Sequence, residues 1–123
     1  MAHILIVDDS ATEREFLQQT LESSGFKTTC VENAEDGLVK ARELKPDLIL
    51  MDVVLPGMSG FHATRTLTHD PETEHIPVII VSGKSQQTDQ VWGERQGACA
   101  YLTKPVAEDV LLAAVRGHLP EGA

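Results

Sequence analysis

In this 123-residue chain, polar residues follow short apolar runs at positions where chemistry is possible. Asp8 and Asp9 follow HILIV (3–7), Asp52 follows DLILM (47–51), Ser82 follows PVIIV (77–81), and Lys104 comes just after ACAYL (98–102). Asp52 ends the most apolar of these segments, where an ionised group is costly unless it has partners. Three carboxylates in one cleft, at about 4 Å and an effective dielectric of about 20, repel by roughly 4 kcal/mol per pair. A divalent cation removes that repulsion. Oxygen donors without clustered histidine or cysteine select a hard ion, and Mg²⁺ typically takes one or two carboxylates with waters and phosphate oxygens. Lys104 adds a fixed positive charge and Ser82 a hydroxyl donor. Carboxylate, metal, lysine and hydroxyl around one pocket suit phosphoryl transfer by charge stabilisation, with Asp52 as the candidate nucleophile.

The elements must bring these residues together. HILIV, DLILM and PVIIV are near-continuous runs of branched apolar residues, the pattern of interior strands in a parallel sheet. FKTTCV (26–31) is half polar, carries Lys27 and reads as an edge strand; ACAYL is the fifth strand. Helices are expected between them. Residues 11–24 start with a capping box at Ser10 and Glu13, turn Phe16, Leu17 and Leu21 inward, and stop at Gly25. Residues 34–44 follow a cap at Asn33, with Leu38, Ala41 and either Leu44 or Val39 inward, and Pro46 closes the segment. Residues 60–68 follow Ser59, 87–96 end at Gly97, and 106–118 follow Pro105 with Glu108 and Asp109 in the first turn. Strict strand–helix alternation specifies an α/β fold: a doubly wound, five-stranded parallel sheet with helices on both faces. All the strand ends named above then share one edge of the sheet, where such folds bind ligands.

Composition narrows the function. One domain spanning residues 1–123, with no output domain, is expected from length and the absence of a linker. The net charge of −9 disfavours nucleic acid and anionic membranes as partners. No apolar run approaches the ~20 residues of a membrane span, and no signal-peptide pattern opens the chain, so it reads as cytoplasmic. His3, His62, His69, His75 and His118 lack metal-ligand spacing and read as surface residues or strand caps. Trp92 is open to two readings, a partner contact or a half-buried packing residue.

The spacing of VDDS, LILMDVVLPGMSG, VIIVSGK and YLTKPV strongly resembles the receiver domain of two-component response regulators, over the whole chain. The resemblance implies a CheY-like strand order 2-1-3-4-5. It also implies Mg²⁺ held by Asp8, Asp9, Asp52 and the backbone carbonyl of Val54. Asp52 would accept a phosphoryl group from a histidine kinase, with Ser82 and Lys104 on the phosphoryl oxygens. Ser82 and Tyr101 would form the switch, and a target protein would read the face made by the fourth helix, fifth strand and fifth helix. On this reading the chain is no turnover enzyme; it catalyses only its own phosphorylation and hydrolysis. Residues 91–105, VWGERQGACAYLTKP, further resemble stand-alone regulators of twitching motility and type IV pili. A role as a phosphate sink stays open. The positions of Gly83 and Val54 flank the phosphoryl site and bear on the lifetime of the phosphorylated state. With that strand order, Cys30 and Cys99 lie at opposite sheet edges, roughly 19 Å apart, beyond disulfide reach.

Two other classes fit less well. A flavodoxin-like FMN carrier needs a hydroxyl- and glycine-rich phosphate loop after the first strand, where Asp8 and Asp9 would repel the phosphate. A Mg²⁺-dependent aspartyl phosphatase of the haloacid dehalogenase type carries D-x-D there, whereas this chain has Asp8-Asp9-Ser10. Each residue alone also has a plainer reading: a polar strand end for Asp8-Asp9, a turn for Ser82 and for Lys104-Pro105. Their joint placement, each at its own strand end, carries the phosphoryl-transfer reading.

Overall fold

Alternate residues of the three interior strands face opposite sides of one sheet, and both sides are apolar. In the computed structural model, which describes residues 1–120, Ile4, Ile6, Leu48, Leu50, Ile79 and Val81 pack into a core on one face. Leu5, Val7, Ile49, Met51 and Val78 pack into a second core on the other. This period-two alternation inside continuous apolar runs is what a sheet covered on both faces requires.

The strands are β1 (His3–Val7), β2 (Lys27–Val31), β3 (Leu48–Met51), β4 (Val78–Ser82) and β5 (Ala100–Thr103), all parallel in the order β2-β1-β3-β4-β5. The helices are α1 (Ala11–Ser23), α2 (Ala34–Leu44), α3 (Gly60–His69), α4 (Gln87–Arg95) and α5 (Glu108–His118). Leu17 and Leu21 of α1 and Leu111 and Val115 of α5 close the first core. Ala34 and Ala41 of α2 and Ala63 and Leu67 of α3 close the second. Cys30, on β2, and Cys99, just before β5, are both free thiols at opposite edges of the sheet.

Local capping chemistry accounts for the helix starts. The side chains of Ser10, Asn33 and Ser59 each accept the backbone N–H three residues on, at 3.3, 2.8 and 3.2 Å. At Ser10 the bond from Glu13 supplies that half of the expected box.

Four expectations shift. Ser82 is the last residue of β4 and fully buried, because its carbonyl still accepts Lys104 N–H across the ladder. β5 begins two residues late, at Ala100, since Ala98 is first drawn into a small cluster with Val53 and Ile80. α5 begins at Glu108, because Val106 is buried beneath the loop and Ala107 is extended at the cap. In α2 neither Val39 nor Leu44 turns inward; they are 54% and 39% exposed. The inward side is Ala34, Gly37 and Ala41, with Leu38 packed half-buried against the second core as expected, and a Cβ on Gly37 would sit 2.9 Å from Val7.

Candidate functional site

Parallel register decides which strand ends meet. Val7 of β1 is level with Met51 of β3, so the following residues, Asp8 and Asp52, emerge side by side, and Asp52 N–H donates to Val7 O at 3.0 Å. Asp8 and Asp52 are buried, and Asp9 is exposed. One carboxylate oxygen from each of Asp8, Asp9 and Asp52 lies within 4.8 Å of the others.

A single cation faces this cluster. Lys104 Nζ donates to Asp8 Oδ2 at 2.8 Å and to Asp52 Oδ2 at 3.1 Å, although Lys104 and Asp8 are 96 residues apart. Burial taken alone would depress the Lys104 ammonium, but its bonds to Asp8 and Asp52 and their negative charge outweigh that and raise its pKa. It stays protonated through the neutral range. The remaining oxygens are partly occupied: Val53 N–H donates to Asp52 Oδ1 at 2.7 Å and Ser10 N–H to Asp8 Oδ1 at 2.9 Å. The charge count is three carboxylates to one ammonium, and all donors are oxygens. That is a fit for a hard divalent cation, and the exposure of Asp9 leaves the cluster open to solvent for coordinated water.

The other sequence-chosen residues surround this cluster. Ser82 Oγ accepts Lys84 N–H at 3.3 Å, and its hydroxyl also faces Tyr101. Tyr101, half-buried on β5, donates its hydroxyl to Lys84 O at 2.6 Å. Lys84 bonds both Ser82 and Tyr101, which also approach each other directly. The Tyr101 ring lies against Gly93 of α4, where a Cβ would come within 3.0 Å of it. Burial, with the negative charge of Asp89 second, pushes the Tyr101 phenol up, so it is a neutral hydrogen-bond donor. Val54 lies in the loop after β3 with its side chain 62% exposed, and Gly83 is exposed.

Three supporting residues escaped the sequence reading. Arg14, on α1, donates to the backbone carbonyl of Asp8 at 2.8 Å and to Glu32 at 3.1 Å, pinning the acidic turn between α1 and the end of β2. Glu35, at the start of α2, accepts Met58 N–H at 3.2 Å and lies against Gly57, whose φ of +73° favours glycine. It therefore braces the loop that leaves Asp52. Gly60 opens α3 hard against the end of β3, where a Cβ would overlap the Asp52 carbonyl oxygen. Gly60 carried a signal, as the glycine closing PGMSG; nothing local marks Arg14 or Glu35, because their partners lie in other elements. Trp92 is 50% exposed and lines a groove with residues of α3.

Comparison with known proteins follows the same lines. The family described as "Response regulator receiver domain" matches residues 4–116. The chain is 56% identical to Protein PilH of Pseudomonas aeruginosa over 119 residues, covering 97% of this chain and 98% of that protein. It is 36% identical to Response regulator PleD of Caulobacter vibrioides over 94% of this chain, and spans only 25% of PleD. Among solved structures, the chemotaxis protein CheY4 of Vibrio cholerae superposes with a TM-score of 0.91 at 27% identity, covering 97% of this chain and 99% of that one.

Proposed function

Because the chain belongs to the response regulator receiver-domain family, we propose that Asp52 accepts a phosphoryl group from a histidine kinase and thereby switches a protein-binding surface. The observation that carries this reading is Lys104, bonded to both Asp8 and Asp52 within reach of Asp9. Asp8, Asp9, Asp52 and the carbonyl of Val54 would hold Mg²⁺. Bound there, Mg²⁺ neutralises carboxylate charge and the charge on phosphoryl oxygens.

The chain's own groups supply the rest. An Asp52 carboxylate oxygen attacks phosphorus; the new O–P bond forms as the donor's P–N bond breaks, and the leaving imidazole takes a proton. Asp52 needs no general base, since its carboxylate is the nucleophile. Lys104 stabilises the phosphoryl oxygens with a charge held in place beforehand, and the hydroxyl of Ser82 donates to another. Phosphorylation adds nearly two negative charges beside these donors. Movement of Ser82 toward them displaces Lys84, which holds the Tyr101 hydroxyl. Tyr101 then turns inward, altering the face of α4, β5 and α5. The likeness to Protein PilH, and to stand-alone pilus regulators in residues 91–105, supports a place in twitching-motility signalling.

Incubation with Mg²⁺ and acetyl phosphate should add one phosphoryl group, read by intact-mass spectrometry and lost in Asp52→Ala. Ser82→Ala should still be phosphorylated, yet its Tyr101 resonances should move less than wild type on adding beryllofluoride. Normal uptake by Asp52→Ala would sink the assignment. Equal Tyr101 shifts in the two proteins would sink only the coupling.

A further inference from the structure

We propose that the groove between α3 and α4 is a docking site for an acidic, amphipathic helix of a partner protein. The groove is walled by Phe61, His62 and Arg65 of α3 and by Trp92 of α4, with a cleft of about 300 Å³. It continues over Val91 and Arg95 on the outer side of α4 as a second cleft of about 340 Å³. Trp92, the chain's only tryptophan, is 50% exposed and Val91 41% exposed, so an apolar ridge lies open to solvent. Exposed aromatic and arginine side chains at a concave patch are the usual anchors of protein interfaces.

Charge selects the occupant. The chain carries −9 overall, yet no Asp or Glu lines either cleft. The clefts beside α1, by contrast, include Glu108 and Glu13. α3 has no carboxylate at all. Of the acids of α4, Asp89 is engaged at the helix cap, accepting Gln86 N–H at 3.2 Å, and neither it nor Glu94 lines a cleft. Arg65 and Arg95 are exposed and enter none of the ion pairs among the described residues. Two unpaired guanidinium groups beside an apolar ridge, on an otherwise acidic molecule, match carboxylates flanking an apolar anchor. A groove between two helices of 10 and 9 residues takes a helix laid along it, for about two to three turns. Ser59, the cap of α3, also lines the groove, so a docked helix would touch the loop leaving Asp52.

Trp92 makes the test direct, because all tryptophan emission comes from the groove. The probe is a synthetic helical peptide with leucines at i, i+4 and i+7 and glutamates elsewhere, titrated into the full chain at low salt without phosphodonor. The expected result is a saturable blue shift of Trp92 emission. Affinity should fall at least about tenfold with the Arg65→Glu/Arg95→Glu double variant, and equally when the peptide's glutamates become lysines. Both arginines are exposed, and the lysine peptide leaves the protein unaltered, so loss of folding cannot mimic the result. No shift up to millimolar peptide would overturn the proposal, as would equal shifts from the lysine or a scrambled peptide. So would a concentration-dependent dimer that buries Trp92, or an equal shift with phosphatidylglycerol vesicles, since each assigns the groove another occupant.

Discussion

At the amino-terminal end of the sheet, His3 N–H donates to Asp47 at 2.7 Å and its ring meets the Thr29 hydroxyl at 2.7 Å. Arg42 donates twice to Asp70, and Lys45 reaches the Glu72 carbonyl at 2.8 Å. At the carboxy-terminal end, Asp8, Asp9 and Asp52 crowd together with Lys104 alone to face them. Both ends belong to the same strands and are a few residues apart in sequence. At the first end His3, Asp47, Arg42, Asp70 and Lys45 each have a hydrogen-bond partner, as groups that only stabilise must. The other leaves a surplus of negative charge, which costs stability and suits a cation.

Substitutions at the two ends should therefore differ in size, sign and response to Mg²⁺. The largest effect belongs to Lys104→Met, which leaves two buried carboxylates without their cation. It should lower unfolding free energy by about 3 kcal/mol in metal-free buffer, from urea denaturation, with part of the loss restored by MgCl₂. A loss that Mg²⁺ leaves unchanged would mean that the carboxylates do not share a cation site.

Next is Asp47→Ala, which strips the acceptor from His3 N–H and should cost about 1–2 kcal/mol. Here MgCl₂ should make no difference to the deficit. A Mg²⁺-dependent deficit would erase the distinction between the ends.

Asp9→Asn should have the opposite sign. Removing an exposed member of the acidic cluster should stabilise the metal-free protein by about 1 kcal/mol, the Coulomb repulsion at this distance being reduced by solvent. The same variant should bind Mg²⁺ more weakly by isothermal titration calorimetry. Destabilisation would show that Asp9 is held by partners after all.

The smallest effect is a pH dependence at the amino-terminal end. Burial first, and the charge of Lys27 second, hold the His3 imidazole below its ordinary range, with Asp47 opposing them. A base depressed on folding contributes stability above its ordinary value of about 6.5, and that stability is lost as pH falls from there through the folded value. Wild type should thus lose more stability between about pH 7.5 and about pH 5.5 than His3→Gln does. Parallel urea midpoints across that range would remove His3 from the account.

Much of this molecule was legible before folding because the signals are local. The apolar runs at 4–7, 48–51 and 78–81 mark strands covered on both faces, and each became one. Ser10, Asn33 and Ser59 cap helices through bonds spanning three residues, a distance that sequence spacing reads directly. Asp8, Asp9, Asp52, Ser82 and Lys104 were recognisable as strand-end residues because a parallel sheet puts all such ends on one edge. Packing decided the rest. The inward side of α2 fell on Ala34, Gly37 and Ala41 because Val7 leaves no room for a larger residue at Gly37, and Val39 and Leu44 were left outside. Arg14 and Glu35 brace the site through partners 18 and 23 residues away, contacts that no local spacing specifies. How far Trp92 stays exposed depended on the rotation of α4 about its axis, which the close fit of Gly93 against Ile80 and Tyr101 constrains. The sequence by itself determined which residues reach the sheet edge, since period and capping act over a few residues. Tertiary structure alone decided which of them touch, since that rests on side-chain volumes meeting across elements far apart in the chain.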